Sequence, residues 1–229
     1  MIETMAEVRK RSAERLAAAG FQYAHSLPIR SEDEITLRPS SDIAGRFAAL
    51  LGLCLYVSAP ENVFPAAKLG AITDRLKSRA HLTGEEGAVL DLPRAEANAA
   101  HAQNIGWRME NMVSLAWVLG HPLEPAIDGA MISGKPLKTI VTGVMPLDVE
   151  GAAAWAAAAH ARPAREVAAM EDLFYCCHNA MQSAQIRAKG AVPVGFHPVM
   201  NGGVIHERRH ALTWCLSPDV SWSEADLST

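Results

Sequence analysis

At 229 residues, 49% hydrophobic, 20% charged and only 6% aromatic, the chain draws its core from Ala, Leu, Val and Met, residues that lose little side-chain entropy in helices. A net charge of -4 offers no basic footprint for a phosphate backbone, so nucleic acid is not an expected partner. Four cysteines, Cys54, Cys176, Cys177 and Cys215, show neither the CxxC spacing of zinc sites nor the density of a disulfide scaffold, and read as reduced, buried thiols.

In chain order, Met5, Val8 and Leu16 predict a first helix from about Thr4 to Ala19, with Gly20 as its C-terminal cap. The charged start, Met1 to Arg15, lacks the apolar stretch of a signal peptide. Its basic run Arg9, Lys10 and Arg11 sits in a helix that also carries Glu3, Glu7 and Glu14, and reads as a solvated face. Residues 21–37 lose periodicity and read as a surface connection. Ser40 or Ser41 can cap a second helix carrying Ile43, Phe47, Leu50, Leu51, Cys54 and Val57, apolar on nearly all sides and therefore central. Its apolar run, Ala48 to Val57, is about half of the roughly 20 residues that span a bilayer, so cytoplasm is expected and a membrane is not.

A third helix follows Pro65, and Thr83 with Glu86 makes a capping box for a short fourth. One long helix is expected from Pro93 to Gly120, its second half strongly apolar. Residues 121–147 are rich in Pro and Gly, and the β-branched stretch Thr139 to Val144 could hold a short strand. Asp148 can start an Ala-rich helix through His160. Pro163 opens another to about Lys189, with Val167, Met170, Phe174, Cys177 and Met181 at alternating spacings of three and four. A loop over 190–203 leads to a last helix, Val204 to Leu216, and a polar tail. The fold expected is all-α, a single globular multi-helix domain over 1–229 with a central apolar helix pair and irregular loops.

Gly129 to Lys135 matches GxxxxGK, but Pro136 stands where the magnesium-binding hydroxyl of a phosphate loop belongs, and no apolar strand precedes it. His206, Glu207 and His210 spell HExxH, which could hold zinc with Glu207 as general base. Its third ligand would have to come from the tail, from Glu224 or Asp226, so solvent-facing histidines are the reading preferred. On the wheel of the last helix Arg208 falls amid Val204, Ile205, Ala211, Leu212 and Cys215, while His206, Arg209 and Thr213 point away. A guanidinium among apolar residues needs a carboxylate. Glu110, flanked by Trp107 and Trp117, and Glu171, beside Tyr175 and His178, are the candidates. Cys176, Cys177 and His178 bring a thiol near an imidazole, but the two cysteines and the histidine fall on different helix faces, which disfavours a catalytic dyad.

Several pieces, in this order and spacing, carry a family resemblance: Arg11-Ser12, Leu37-Arg38, Ile43-Ala44 with Arg46, Leu82-Thr83 with Glu86, and Trp107 with Glu110. Trp117 with Leu119-Gly120, Glu171-Asp172-Leu173 with Tyr175, Glu207-Arg208 with Ala211-Leu212 and Trp214, and Trp222 complete them. With these the chain resembles the bacterial family of domain of unknown function 4272 over nearly its whole length. The resemblance implies a helical intracellular protein and carries no activity with it. It also implies that the position before Glu207-Arg208 varies, which makes His206 a feature of this member. Cys176, Asn179 and Thr213 depart from the family pattern, where arginine, tryptophan and asparagine are usual. The function expected is a binding or interaction module for a protein or small molecule, built on a cluster of Glu110, Glu171, His178, Arg208, Trp107 and Tyr175, with no cofactor. The alternative is a zinc-dependent hydrolase using His206 and His210.

Overall fold

The computed structural model describes residues 3–186 and 190–229. Among the described residues there are ten α-helices and no strand: α1 Met5–Ala18, α2 Ser40–Ser58, α3 Ala66–Leu76, α4 Gly84–Asp91, α5 Arg94–His101, α6 Trp107–Val118, α7 Gly134–Gly143, α8 Val149–Ala158, α9 Ala164–Gln185 and α10 Met200–Cys215. The all-α class expected from composition is therefore the class observed. Contacts gather in two compact units, each assembled from separated stretches of chain. The first comprises Met1–Arg38, Glu124–Met131 and Arg162–Thr229, and the second Pro39–Leu123 and Ile132–Ala161.

The second unit is built around α2, which packs against α3, α5 and α6. By length and composition α2 could cross a bilayer, yet 67% of its apolar window is buried in the protein, as in a core helix. Together α2 and α6 form the apolar pair expected, with Phe47, Leu50, Leu51, Met112 and Leu115 fully enclosed. The cap of α2 is Pro39, not a serine side chain. Ser40 Oγ instead accepts from Ala161 N at 2.9 Å. At the other end Arg94 donates to the carbonyls of Leu55, Tyr56 and Ala59, where the helix runs out of its own donors; Leu55 O also accepts from Ala59 N.

Arg46 is wholly buried in the middle of α2 and grips Glu86 with both terminal nitrogens, at 2.6 and 2.9 Å. Arg108 approaches the same carboxylate at 3.1 Å. Glu86 also closes the Thr83 capping box, so one acid caps α4 and neutralises the core arginine. Burial would raise its pKa, and the Arg46 contacts more than offset this and hold it low.

Two expectations in this unit are corrected. The helix from Pro93 to Gly120 is two helices, because residues 102–106 form turns in which Ile105 is tucked into the core. Asn104 and Gly106, both weak helix formers, lie in that break. The β-branched stretch Thr139 to Val144 is the end of helix α7 and its C-cap, Val144, not a strand. Ile140 anchors it in the core, Thr139 and Thr142 bond back to the carbonyls of Lys135 and Lys138, and Pro136 sits in the first turn, where a missing N–H costs nothing. Gly134 and Lys135 of the GxxxxGK match simply open this helix.

The first unit packs α9 against α1 on one side and α10 on the other. Thr4 and Glu7 form a capping box at the start of α1. The expectation that α9 runs to about Lys189 falls, for its last three residues, outside the described residues; the helix is observed to Gln185. The last helix begins at Met200 rather than Val204, so Gly202 and Gly203, read as loop, are helical. A Cβ on Gly202 would lie 2.6 Å from Met181 Cγ, which shows how closely α10 approaches α9 at that point. Arg38 closes the far end of α10 by donating to the carbonyls of Trp214, Ser217 and Val220, with its guanidinium 4.1 Å from the Trp214 ring centre. All four cysteines are free and buried, as expected.

Candidate functional site

A cavity of about 240 Å³ opens in the first unit. Each helix supplies side chains one turn apart, which share a face: Met5 and Arg9 from α1, Glu171 and Tyr175 with Asp172 from α9, and Arg209 and Thr213 from α10. The 21–37 connection adds Pro28, Ile29, Arg30 and Glu34, and the tail adds Asp226. Three arginines thus meet four acids in one place.

Arg9 is buried, not part of a solvated face. Its Nε and Nη2 both donate to Asp172 Oδ1, at 2.9 and 2.8 Å, and its remaining N–H groups reach the carbonyls of Leu27 and Pro28. Burial opposes the Arg9 charge, but Asp172 more than offsets it and the pKa is raised. The pairing is one-sided: Asp172 Oδ2 is buried with no hydrogen-bond partner. Glu171 accepts from Thr213 Oγ1 at 3.0 Å and lies between two looser arginine contacts, Arg209 at 3.6 Å and Arg30 at 3.8 Å. The Nε atoms of Arg30 and Arg209 are likewise buried without a hydrogen-bond acceptor.

Behind the cavity wall Arg209 is fixed from several sides. Its Nη1 donates to His178 Nδ1 at 2.6 Å and to the Leu227 carbonyl at 2.9 Å, and its guanidinium lies 4.7 Å from the Tyr175 ring centre. Because Nδ1 accepts, His178 carries its proton on Nε2, which faces His206 Nδ1 at 3.4 Å. Burial above all, then the Arg209 charge and His206, push the His178 pKa down to about 3. Burial also lowers Arg209, against the pull of Glu171, and raises the Tyr175 hydroxyl. Cys176 is pushed up to about 12 by burial and the Asp172 charge, and burial raises Cys177 too, so both stay protonated beside a neutral imidazole, unsuited to nucleophilic attack.

Of the six residues singled out from sequence, Glu171 and Tyr175 line the cavity and His178 stands directly behind it. Glu110 and Trp107 belong to the second unit, where Glu110 is fully buried and accepts from Ile132 N at 2.7 Å. Arg208 is buried, as expected of its place on the apolar face, but the guanidinium that faces Glu171 is that of Arg209. Arg208 donates to the carbonyls of Ala126 and Ala130 at 2.5 and 2.9 Å, with Asp128 at 3.9 Å, and so holds the 124–131 segment onto α10. Arg209 and Thr213, read as pointing away, are buried because the tail and α9 cover that side of the helix. Sequence reasoning missed Arg9, Arg30, Asp172, Arg209 and Thr213. The adjacent pairs Glu171-Asp172 and Arg208-Arg209 were the available signal, since neighbouring charges on a helix cannot both face water when two sides are covered.

The HExxH residues are otherwise engaged. His210 Nε2 meets the Trp222 carbonyl at 2.8 Å, with its ring 4.4 Å from that of Trp222, and the His206 and His210 ring centres are 6.3 Å apart. Glu224 and Asp226, the third ligands considered, accept from Ser221 Oγ and Ser228 N. Among the described residues no group of three His, Cys, Asp or Glu side chains is placed to hold a metal ion.

Comparison with curated proteins gives no match, and neither does comparison with solved structures. A family model does match, described as a domain of unknown function (DUF4272), over residues 8–225. That span takes in the cavity arginines and acids from Arg9 to Thr213, and the chain belongs to this family.

Proposed function

We propose that the protein is a binding module and that the α1, α9 and α10 cavity is where it takes a small polar ligand. The observation that carries this reading is the mismatch within the cluster: three arginines and two buried acids converge on one cavity, yet Asp172 Oδ2 and the Nε atoms of Arg30 and Arg209 make no hydrogen bond, and Glu171 meets Arg209 and Arg30 only at 3.6 and 3.8 Å. A cluster serving architecture alone is expected to close most of its hydrogen bonds, because an unpaired buried polar atom costs about 1 to 3 kcal/mol. The cavity has the capacity of about eight waters at roughly 30 Å³ each, which suits a small metabolite better than a peptide. Against an enzymatic reading, the thiols are held protonated and His178 is spent on Arg209.

The test is a thermal-shift screen of small polar metabolites against the protein and against Arg30→Gln, whose side chain is 25% exposed and can be replaced without opening the core. A ligand at about 100 times its Kd should add about 2.7 kcal/mol of stability to the parent and much less to the variant. If no small polar molecule stabilises the parent, or if every hit stabilises both proteins equally, the cavity is not a binding site.

A further inference from the structure

We infer that the ligand of this cavity is a free α-amino acid with an aliphatic side chain, its ammonium received by Asp172 and Glu171 and its carboxylate by Arg30 and Arg209. This rests on the binding reading above and deepens it. Several groups of the wall lack a hydrogen-bond partner. Arg9 spends two of its donors on Asp172 Oδ1 alone, so Oδ2 is an anionic acceptor wanting a donor, on a side chain only 4% exposed. Arg209, 3% exposed, turns its Nε toward Glu171 Oε1 at 3.6 Å without a hydrogen bond, and Arg30 Nε has no hydrogen-bond acceptor. Glu171 stands 3.6 and 3.8 Å from these two guanidiniums, too far for close ion-paired hydrogen bonds, which run at about 2.7 to 2.9 Å.

A simple anion would answer the arginines but add like charge beside Glu171 and Asp172, leaving Oδ2 unmet. A simple amine would do the reverse. A zwitterion supplies donor and acceptor on one small frame and leaves the net charge of the buried site unchanged, which avoids the cost of an uncompensated buried charge. The rest of the wall sets the side chain. Met5, Pro28, Ile29 and the ring of Tyr175 are apolar, and about 240 Å³ leaves room for a short aliphatic group but not a peptide.

Titration calorimetry with L-leucine, L-valine and L-methionine tests this directly, alongside N-acetyl-L-leucine, which lacks the ammonium, and isopentylamine, which lacks the carboxylate. At least one amino acid is expected to bind with a Kd below ~1 mM, and each truncated analogue of leucine to bind at least ~10-fold more weakly than leucine. Arg30→Gln should weaken the amino acid by ~10-fold while leaving isopentylamine unchanged, and its unaltered melting temperature without ligand would show that the fold is intact. The inference is overturned if no amino acid binds, or if the acetylated or decarboxylated analogue binds as well as leucine. Should the metabolite screen meanwhile find another ligand sensitive to Arg30→Gln, the binding site stands and only its assignment to amino acids falls. If that screen is empty too, both fall together.

Discussion

Replacing His178 with Asn should remove a pH-dependent share of the stability of the first unit. The imidazole is 2% exposed, accepts from Arg209 through Nδ1, and has its pKa pushed down to about 3 by burial, Arg209 and His206. In the unfolded chain it titrates near about 6.5. Between those two values the unfolded state binds the proton and the folded state does not, so stability is fully present above about pH 6.5 and is lost as pH falls through the window. Linkage at about 1.36 kcal/mol per unit gives a loss of about 2 kcal/mol by about pH 5 and about 3 kcal/mol by about pH 4, relative to neutral pH. Asn keeps an acceptor for Arg209 but has no proton to gain. Urea unfolding of both proteins at about pH 7 and about pH 5, at fixed ionic strength, measures the difference in slope. His81, whose pKa burial also lowers, contributes equally to both proteins and cancels. If the variant loses as much stability as the parent over that interval, His178 is not held neutral in the fold and the account of Arg209 fails with it.

Three further outcomes are expected. Arg208→Ala should destabilise the protein by roughly 3 to 5 kcal/mol, since two hydrogen bonds from a buried charged donor to the Ala126 and Ala130 carbonyls are lost; a change below about 1 kcal/mol in denaturant unfolding would mean the 124–131 segment holds itself. Gly202→Ala should destabilise by roughly 1 kcal/mol despite a better helix former, because its Cβ meets Met181, whereas Gly87→Ala, with open space around it, should stabilise by up to about 1 kcal/mol; equal effects at both sites would refute the close α9–α10 approach. Protein purified without a histidine tag should carry far less than stoichiometric zinc, with the amount unaffected by His210→Ala, since His210 is committed to Trp222; stoichiometric metal lost on that substitution would restore the hydrolase reading.

The sequence by itself determined what is local or periodic. The all-α class, the start of α1, the Thr83–Glu86 box, the Asp148 cap of α8 and the apolar stripe of α9 were legible because each depends on residues within about a turn or two of one another. That Arg208 is buried was legible for the same reason, and Arg46, which stands amid the apolar residues of α2, offered an identical signal, met in the structure by Glu86. The sequence could not decide which charged neighbour faces which element. Arg9 read as solvated and Arg209 as outward because a helical wheel shows one buried face, whereas α9 is covered by both α1 and α10, and the tail lies against Arg209. Nor could periodicity place Gly202 in α10, where the helix passes close to Met181, or show that the stretch from Thr139 would join a helix once Ile140 had a core to enter. The cavity is the extreme case: Arg9 and Asp172 are 163 positions apart, and only packing of three helices brings that pair to Glu171, Arg30 and Arg209.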